Sequence, residues 1–269
     1  DAAHSNNLGH VAISLLPAGL VRHENLAPAA RQLEALLPLE GAHPVVEVAW
    51  LLTALSDVPS ANRGRLRDQV AERLMSTFHS GSKLFPHTTG AAGSARSHVS
   101  CFADLIYPIQ ALAKYAAATG SQRALDIAST CATHLCDLQG EDGQWWWHYD
   151  YRSGRVLEEY PVYAIHQDAM GPMGLLALLE AGGPDFTRHI HRGLQWLVAA
   201  PELNGDSLID EQADLIWRKV CRREPRKAVR YLQAIASRMH PAGRVPAVDF
   251  IFPARRIDFE DRPYHLGWL

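Results

Sequence analysis

The feature that most constrains this chain is an alternation along its length. Segments that are apolar on every side are each followed by a segment charged along one face. Pro44–Leu55 is apolar apart from Glu47, and Asn62–Phe78 carries Arg63, Arg65, Arg67, Asp68, Glu72 and Arg73 along one face. His98–Ala118, bent at Pro108, precedes amphipathic Arg123–Leu138. Tyr160–Glu180, loosened by Gly171, Pro172 and Gly174, precedes Asp185–Ala199. Asp210–Arg222 and Pro225–Arg238 read as a fifth pair, Val11–Leu20 with Leu26–Leu37 as a short first one, and the closing PYHLGWL as the start of one more helix. A helix apolar all round must be enclosed by protein, whereas an amphipathic one keeps a face in water. The expectation is therefore an all-α chain, a closed or curved array of about five to six helical hairpins in one domain over residues 1–269.

Turn glycines mark the repeat. Gly81, Gly143 and Gly205 recur at a constant interval, flanked by Gly41 and Gly243, and extended polar or aromatic pieces begin at four of them: GSKLF, GQWWW, GDSLI and GRVPAV. If apolar helices turn inward and amphipathic ones outward, every long outer-to-inner connector opens on the same rim. The short turns, Gly120-Ser121 and Gly182-Gly183, then close the other end. Inner-helix N-termini would present their unpaired N–H groups to that rim.

The connector that stands out lies within Leu138–Leu176. It holds Trp145, Trp146 and Trp147 in succession, Tyr149, Tyr151, Tyr160 and Tyr163, the histidines His148 and His166, and the acids Asp142, Asp150, Glu158, Glu159 and Asp168. Ring faces beside titratable groups, on a loop between core helices, are where a binding or catalytic site is expected.

Composition removes several classes of function. Net charge is -3 and no Lys/Arg block occurs, which argues against a nucleic-acid partner or a polybasic membrane anchor. The apolar runs fall far short of the roughly 20 residues that span a bilayer, and the first residues do not read as a signal peptide. Cys101, Cys131, Cys136 and Cys221 form no CxxC pair. Free thiols in a reducing compartment follow as the default, hence a cytoplasmic expectation.

Leu138-Gln139-Gly140-Glu141-Asp142-Gly143-Gln144-Trp145 is similar to the Q-x-x-D-G-x-W element of cyclase-like toroids, and G-x-W-W stretches occur in carbohydrate-acting ones. With the helical alternation, the chain resembles the α/α-toroid enzymes: six-hairpin glycosidases, epimerases and polysaccharide lyases, and also terpenoid cyclases and protein prenyltransferases. The resemblance implies an α/α toroid with its site on the rim, acting on a polysaccharide, oligosaccharide or other small molecule. The terpenoid branch lacks its D-x-D-D and D-D-x-x-D motifs here. Asp126, Cys131 and His134, on an outer helix, do not form the converging ligand set of a zinc site. Neither a metal nor another cofactor is implied, and nothing in the sequence fixes an oligomeric state.

Polar residues on otherwise apolar helices are the catalytic candidates: Glu47, Asp104, Tyr107, His166 and Asp168. Asp104 and Tyr107 share a helix face, as do Tyr163 and His166, whereas Asp168 is rotated about 200° from His166. Candidates for binding substrate are Trp145, Trp146, Trp147, His148, Tyr149, Tyr163, His98 and Arg152. A hydrolase would use a carboxyl pair, about 5–5.5 Å apart for retention or about 6.5–9.5 Å for inversion; Asp104 with Glu47, Asp150 or Asp168 are the candidate pairs. A uronate lyase or epimerase would use His166 with Tyr107 or Tyr163 as base and acid. Arg96, Arg152 or Arg155 would then grip the carboxylate. A terpenoid-cyclase-like enzyme with an apolar pocket along Trp145–Tyr151, and a non-catalytic module binding glycan or protein, are the alternatives.

Overall fold

The computed structural model describes residues 41–57, 64–90, 96–223, 228–239, 245 and 248–261. The expected Val11–Leu20 and Leu26–Leu37 helices and the closing PYHLGWL piece lie outside the described residues. Helices α1 (Val45–Asp57) and α2 (Gly64–Ser76), α3 (Ala103–Thr119) and α4 (Gln122–Asp137), and α5 (Gly171–Glu180) and α6 (Thr187–Ala199) form three hairpins. Helix α3 lies between α1 and α5, so the apolar members pack side by side. Their partners are half-wet: α4 buries Ala124, Ala128, Cys131, Ala132, Leu135 and Cys136 and exposes the opposite face. Gly120, at a left-handed φ of 75°, stops α3, and the Ser121 hydroxyl accepts from the Ala124 N–H to start α4.

The chain is not all-α. Eight short strands among the described residues form three antiparallel sheets, and this overturns the expectation of a purely helical array. Strands β1 (Val99–Cys101), β2 (His148–Asp150) and β3 (Arg155–Glu158) make one sheet. The second contains β4 (Val162–Tyr163), β7 (Lys219–Cys221) and β8 (Arg256–Asp258), in that order. The third is the pair β5 (Ile209–Asp210) and β6 (Leu215–Ile216). The helix expected over Asp210–Arg222 is thus β5, β6 and β7. Asp210 folds its carboxylate back on the Gln212 and Ala213 N–H groups, and Asp214 takes a φ of 51°. Both favour a turn over a helix.

The starts of two expected helices are also extended. The chain before α3 runs as β1 because Val99 and Cys101 pair with Asp150 and His148. Ahead of α5, Pro161 keeps residue 160 out of the helical region, and the chain runs through β4 into a π-helical turn, His166–Met170. Downstream, α7 (Ala228–Met239) packs on β3 and the short α8 (Val248–Ile251) precedes β8.

These strands stitch the long connectors together. The connector from α2 ends in β1, that from α4 supplies β2, β3 and β4, and that from α6 supplies β5, β6 and β7. The first two share one sheet, and the last two share another. Two clusters make the core. The larger joins the helices to Trp145 and Tyr149, while the smaller gathers Val162, Val220 and Ile257 of the second sheet with Trp196, Leu197 and Leu203. Gly143 is needed where the connector leaves α4: its φ is +106°, and a Cβ there would lie 2.0 Å from the Arg192 carbonyl oxygen. No helix of the described residues is long and apolar enough to cross a membrane.

Candidate functional site

Strand register sets the first pair of reactive groups. His148 on β2 stands opposite Cys101 on β1 and Glu158 on β3. A bulge beside His148 breaks the regular ladder. Across the β2–β3 pair, His148 Nδ1 lies 2.8 Å from Glu158 Oε2, and both side chains are buried.

A second pair forms beside it. Asp104, in the first turn of α3, is 1% exposed. Its carboxylate accepts the Cys101 N–H at 2.7 Å and lies 3.0 and 3.1 Å from His87 Nδ1. His87 is held through its backbone, whose carbonyl accepts the Val45 N–H at the start of α1. Two connectors and two helices therefore meet at one point.

Both imidazoles line a cavity of about 430 Å³, with Arg96, Val99, Cys101, Asp104 and Trp147. Each uses Nδ1 on its carboxyl partner, which leaves Nε2 as the nitrogen for a ligand. The two pairs differ electrostatically. The hydrogen bond with Asp104 raises the pKa of half-exposed His87, against the opposing effects of burial and Arg96. Burial drives the pKa of His148 well below its ordinary value, and the Arg96 and Arg230 charges push the same way. Burial also pushes Glu158 up to about 7, against the attraction of Arg230, Arg96 and Arg222. His148 and Glu158 consequently form a pair that resists charge on the ring. His87 favours the imidazolium. Environments that drive neighbouring groups apart in this way are how acid and base roles are assigned.

Asp104 is the catalytic candidate that reaches the cavity, but its oxygens are committed to His87 and Cys101, so it positions His87 and does not face a second carboxylate. His166 is fully buried in the π turn. Its ring lies 4.5 Å from Phe102 and 5.9 Å from Trp147, stacked on both, and burial pushes its pKa down to about 3. It is a neutral core imidazole outside the cavity lining. Tyr107 packs edge-on against Trp50 at 5.3 Å. Glu47 is half-buried in the first turn of α1, and Asp168 half-buried on the π turn. Neither lines the cavity.

The tryptophans divide. Trp145 is sealed in the core, in a slot bounded by Gly171 and Gly193, where a Cβ would come within 3.1 and 3.0 Å of the indole nitrogen. Trp146 packs on Tyr160 at 5.9 Å, and Trp147 forms a cavity wall. Tyr149 is wholly buried. Tyr163 lies behind Trp147, ring centres 4.7 Å apart. His98 is bound to the Ser237 hydroxyl at 2.8 Å, and Arg152 to Asp150. An apolar pocket along Trp145–Tyr151 therefore does not form, because alternate rings go into the core.

Sequence reasoning missed His87, Glu158 as the His148 partner, and Arg230, whose guanidinium stands 6.0 Å over the Trp147 ring. The segment HYDYRSGRVLE carried a usable signal, short alternating runs about a Ser-Gly turn, which is a hairpin pattern. His87 carried none, since it stands in an aperiodic loop. Cys101 keeps its proton, because burial and Asp104 hold the thiol well above its usual range, so it is a wall and not a nucleophile. Among the described residues no three His, Cys, Asp or Glu side chains converge as metal ligands. No protein-family model matches the chain, and no curated protein matches it.

Proposed function

We propose that this chain is a carbohydrate-active enzyme of the lyase or epimerase type, moving a proton at the carbon next to the carboxylate of a uronic acid residue. The observation that carries this reading is the pair of imidazoles in one cavity, each held through Nδ1 by a buried carboxyl group and shifted in opposite directions. With Glu158 ionised, the His148 Nδ1 proton points at the carboxylate and Nε2 holds a lone pair towards the cavity. That nitrogen takes the C5 proton, and the Glu158 charge offsets the imidazolium that forms. Arg96 lines the same cavity and stabilises the charge that develops on the substrate carboxylate. His87, as imidazolium, delivers a proton either to the departing glycosidic oxygen, giving elimination, or to the opposite face of C5, giving epimerisation. The Trp147 face offers a platform for the sugar ring.

Two features favour this over the other readings. A glycoside hydrolase needs two available carboxyl groups, and both carboxyl groups at this cavity are engaged with imidazoles. A polyprenyl pocket would be walled almost entirely by apolar side chains, whereas here His87, His148, Arg96 and Asp104 stand beside Val99, Cys101 and Trp147. The test is incubation with uronate oligosaccharides in deuterated water, followed by NMR for deuterium at C5 and by absorbance for an unsaturated uronate. Either signal, lost in His87→Gln and His148→Gln with folding intact, is expected. Exchange that persists in both variants, or is missing on every uronate substrate with the native protein, overturns the proposal.

A further inference from the structure

The loop that carries His87 has a second side. The His87 ring turns into the cavity it shares with His148, whereas Pro86 and Thr88, one residue either way, line another of about 410 Å³. Arg96 and Ser97 divide in the same manner, Arg96 towards the histidines and Ser97 towards the second cavity. Two stretches of chain thus form a ridge, and successive Cα atoms about 3.8 Å apart serve opposite sides of it. The ridge is pinned along its length. The Ser100 hydroxyl donates to the Phe85 carbonyl at 2.6 Å, and the Thr89 N–H donates to the His43 carbonyl at 2.8 Å. The His87 side chain is 57% exposed, so its ring stands at the crest.

The second cavity is lined by hydroxyl groups, those of Ser76, Thr77, Thr88, Thr89, Ser97 and Tyr151. No charged side chain among the described residues lines it, and residues 91–95, between its two walls in sequence, read AAGSA. Several of the hydroxyl protons are already placed. Ser76 donates to the Arg73 carbonyl at 2.8 Å, Thr77 to that of Leu74 at 2.7 Å, and Thr88 to that of Gly90 at 3.0 Å. A hydroxyl has one proton and two lone pairs, so these three meet a ligand as acceptors. The Thr89 hydroxyl is itself an acceptor, of the His43 N–H at 3.3 Å. Ser76 and Thr77 also stand at the C-terminus of α2, the negative end of the helix dipole.

Both features favour a ligand that brings O–H or N–H donors. They oppose a carboxylate, phosphate or sulfate, which brings only lone pairs. A cation is opposed as well, since no carboxylate of the described residues lines the cavity to balance it. Tyr151 adds a ring, fixed by its N–H on the His98 carbonyl at 3.1 Å and by the Ser82 hydroxyl on its own carbonyl. A neutral, hydroxyl-lined cavity of this size with an aromatic wall suits a pyranose, which has apolar C–H faces and a rim of hydroxyl groups.

We propose that this cavity is a subsite for a neutral sugar, a hexose or N-acetylhexosamine, joined to O4 of the uronate that reacts at the histidines. The substrate is then a chain in which uronate and neutral sugar are neighbours, and not a homopolymer of uronate. This rests on the reading of the histidine cavity as the reacting site. A chain laid over the ridge brings the linking oxygen to His87, the group that gives it a proton. In the elimination His148 takes the C5 proton, the C4–O4 bond breaks and a C4=C5 double bond forms. O4 takes the His87 proton and leaves as the anomeric hydroxyl of the neutral sugar.

The experiment is calorimetric titration with two unsulfated tetrasaccharides, one alternating uronate with N-acetylhexosamine and one of uronate alone. In both, O4 of an internal uronate carries the next sugar. The proteins are native, T88V, S97A and Y151F, so that the test survives if one variant fails to fold. The native protein is expected to bind the alternating ligand about tenfold tighter, because a carboxylate in the hydroxyl cavity meets lone pairs. Each lost neutral hydrogen bond weakens binding about fivefold, so the variants should each lose about that factor for the alternating ligand and little for the homopolymer. Failure of the native protein to prefer the alternating ligand, or native affinity for it in every variant that folds, overturns the proposal. Deuterium exchange at C5 separates this outcome from the catalytic one. If the alternating ligand binds in this hydroxyl-dependent way yet neither exchanges nor is cleaved, the catalytic reading fails and the neutral subsite stands. Exchange with hydroxyl-independent binding does the reverse.

Discussion

Replacing Glu158 by Gln should make the protein's stability less sensitive to alkali. The side chain is 4% exposed and faces His148 across two strands, and burial raises its carboxyl pKa from 4.5 to about 7. The folded carboxyl holds its proton to higher pH than the unfolded one. Its contribution to stability is therefore fully present below the unfolded value and is lost as pH rises through about 7. A displacement of that size, at about 1.4 kcal/mol per pH unit, corresponds to about 3 kcal/mol. Gln keeps the shape and a donor towards His148 Nδ1 but cannot ionise. Urea unfolding of both proteins from pH 4.5 to pH 8 measures the effect. The native protein should lose about 3 kcal/mol relative to E158Q across that range, and the variant should be the more stable one at pH 8. A difference that stays flat, or one in which the native protein gains with rising pH, refutes the claim that burial and not ion pairing governs this carboxyl group.

Three further substitutions probe the same geometry. In Asp104→Asn the His87 ring loses the carboxylate whose hydrogen bond and charge raise its pKa, so its NMR titration should move to lower pH. The stability that protonated His87 contributes, present below its ordinary pKa of 6.5 and lost as pH rises through the folded value, should shrink with it. On the proposed mechanism, the upper limb of the activity profile should shift down as well. Trp145→Ala, which empties a fully buried slot, should cost about 3–5 kcal/mol in urea unfolding. Trp147→Ala, at a cavity wall, should cost clearly less and weaken oligosaccharide binding; equal costs for the two would contradict the division of the tryptophans.

The helical hairpins were legible because their signal is local and repeated. Apolar Val45–Asp57 and the one-sided Gln122–Asp137 each contain enough turns for the pattern to declare itself. Val99–Cys101, Val162–Tyr163 and Lys219–Cys221 were not legible, since strands of two or three residues are stabilised by partners distant in sequence. The candidate site divided the same way. Asp104, His148 and Trp147 drew notice as polar or aromatic residues in apolar company, and all three reach the cavity. By that same test His166 and Trp145 looked equally promising, yet both are core residues. A buried imidazole between rings and a cavity imidazole have the same sequence context, and only packing separates them.

The sequence by itself determined the three helical hairpins, the face that each outer helix buries, and that the long connectors would carry the aromatic and titratable groups. Those outcomes depend on periodicity, capping and backbone restriction, which act within a few residues. The tertiary structure decided which of those groups face each other. His87 meets Asp104 17 residues away, and His148 meets Glu158 through strand register and a bulge. Lys219 takes its place beside Tyr163 and Asp258 only when three separate segments pair. Pairings of that kind arise when distant segments share one core and one set of ladder hydrogen bonds, and no local pattern encodes them.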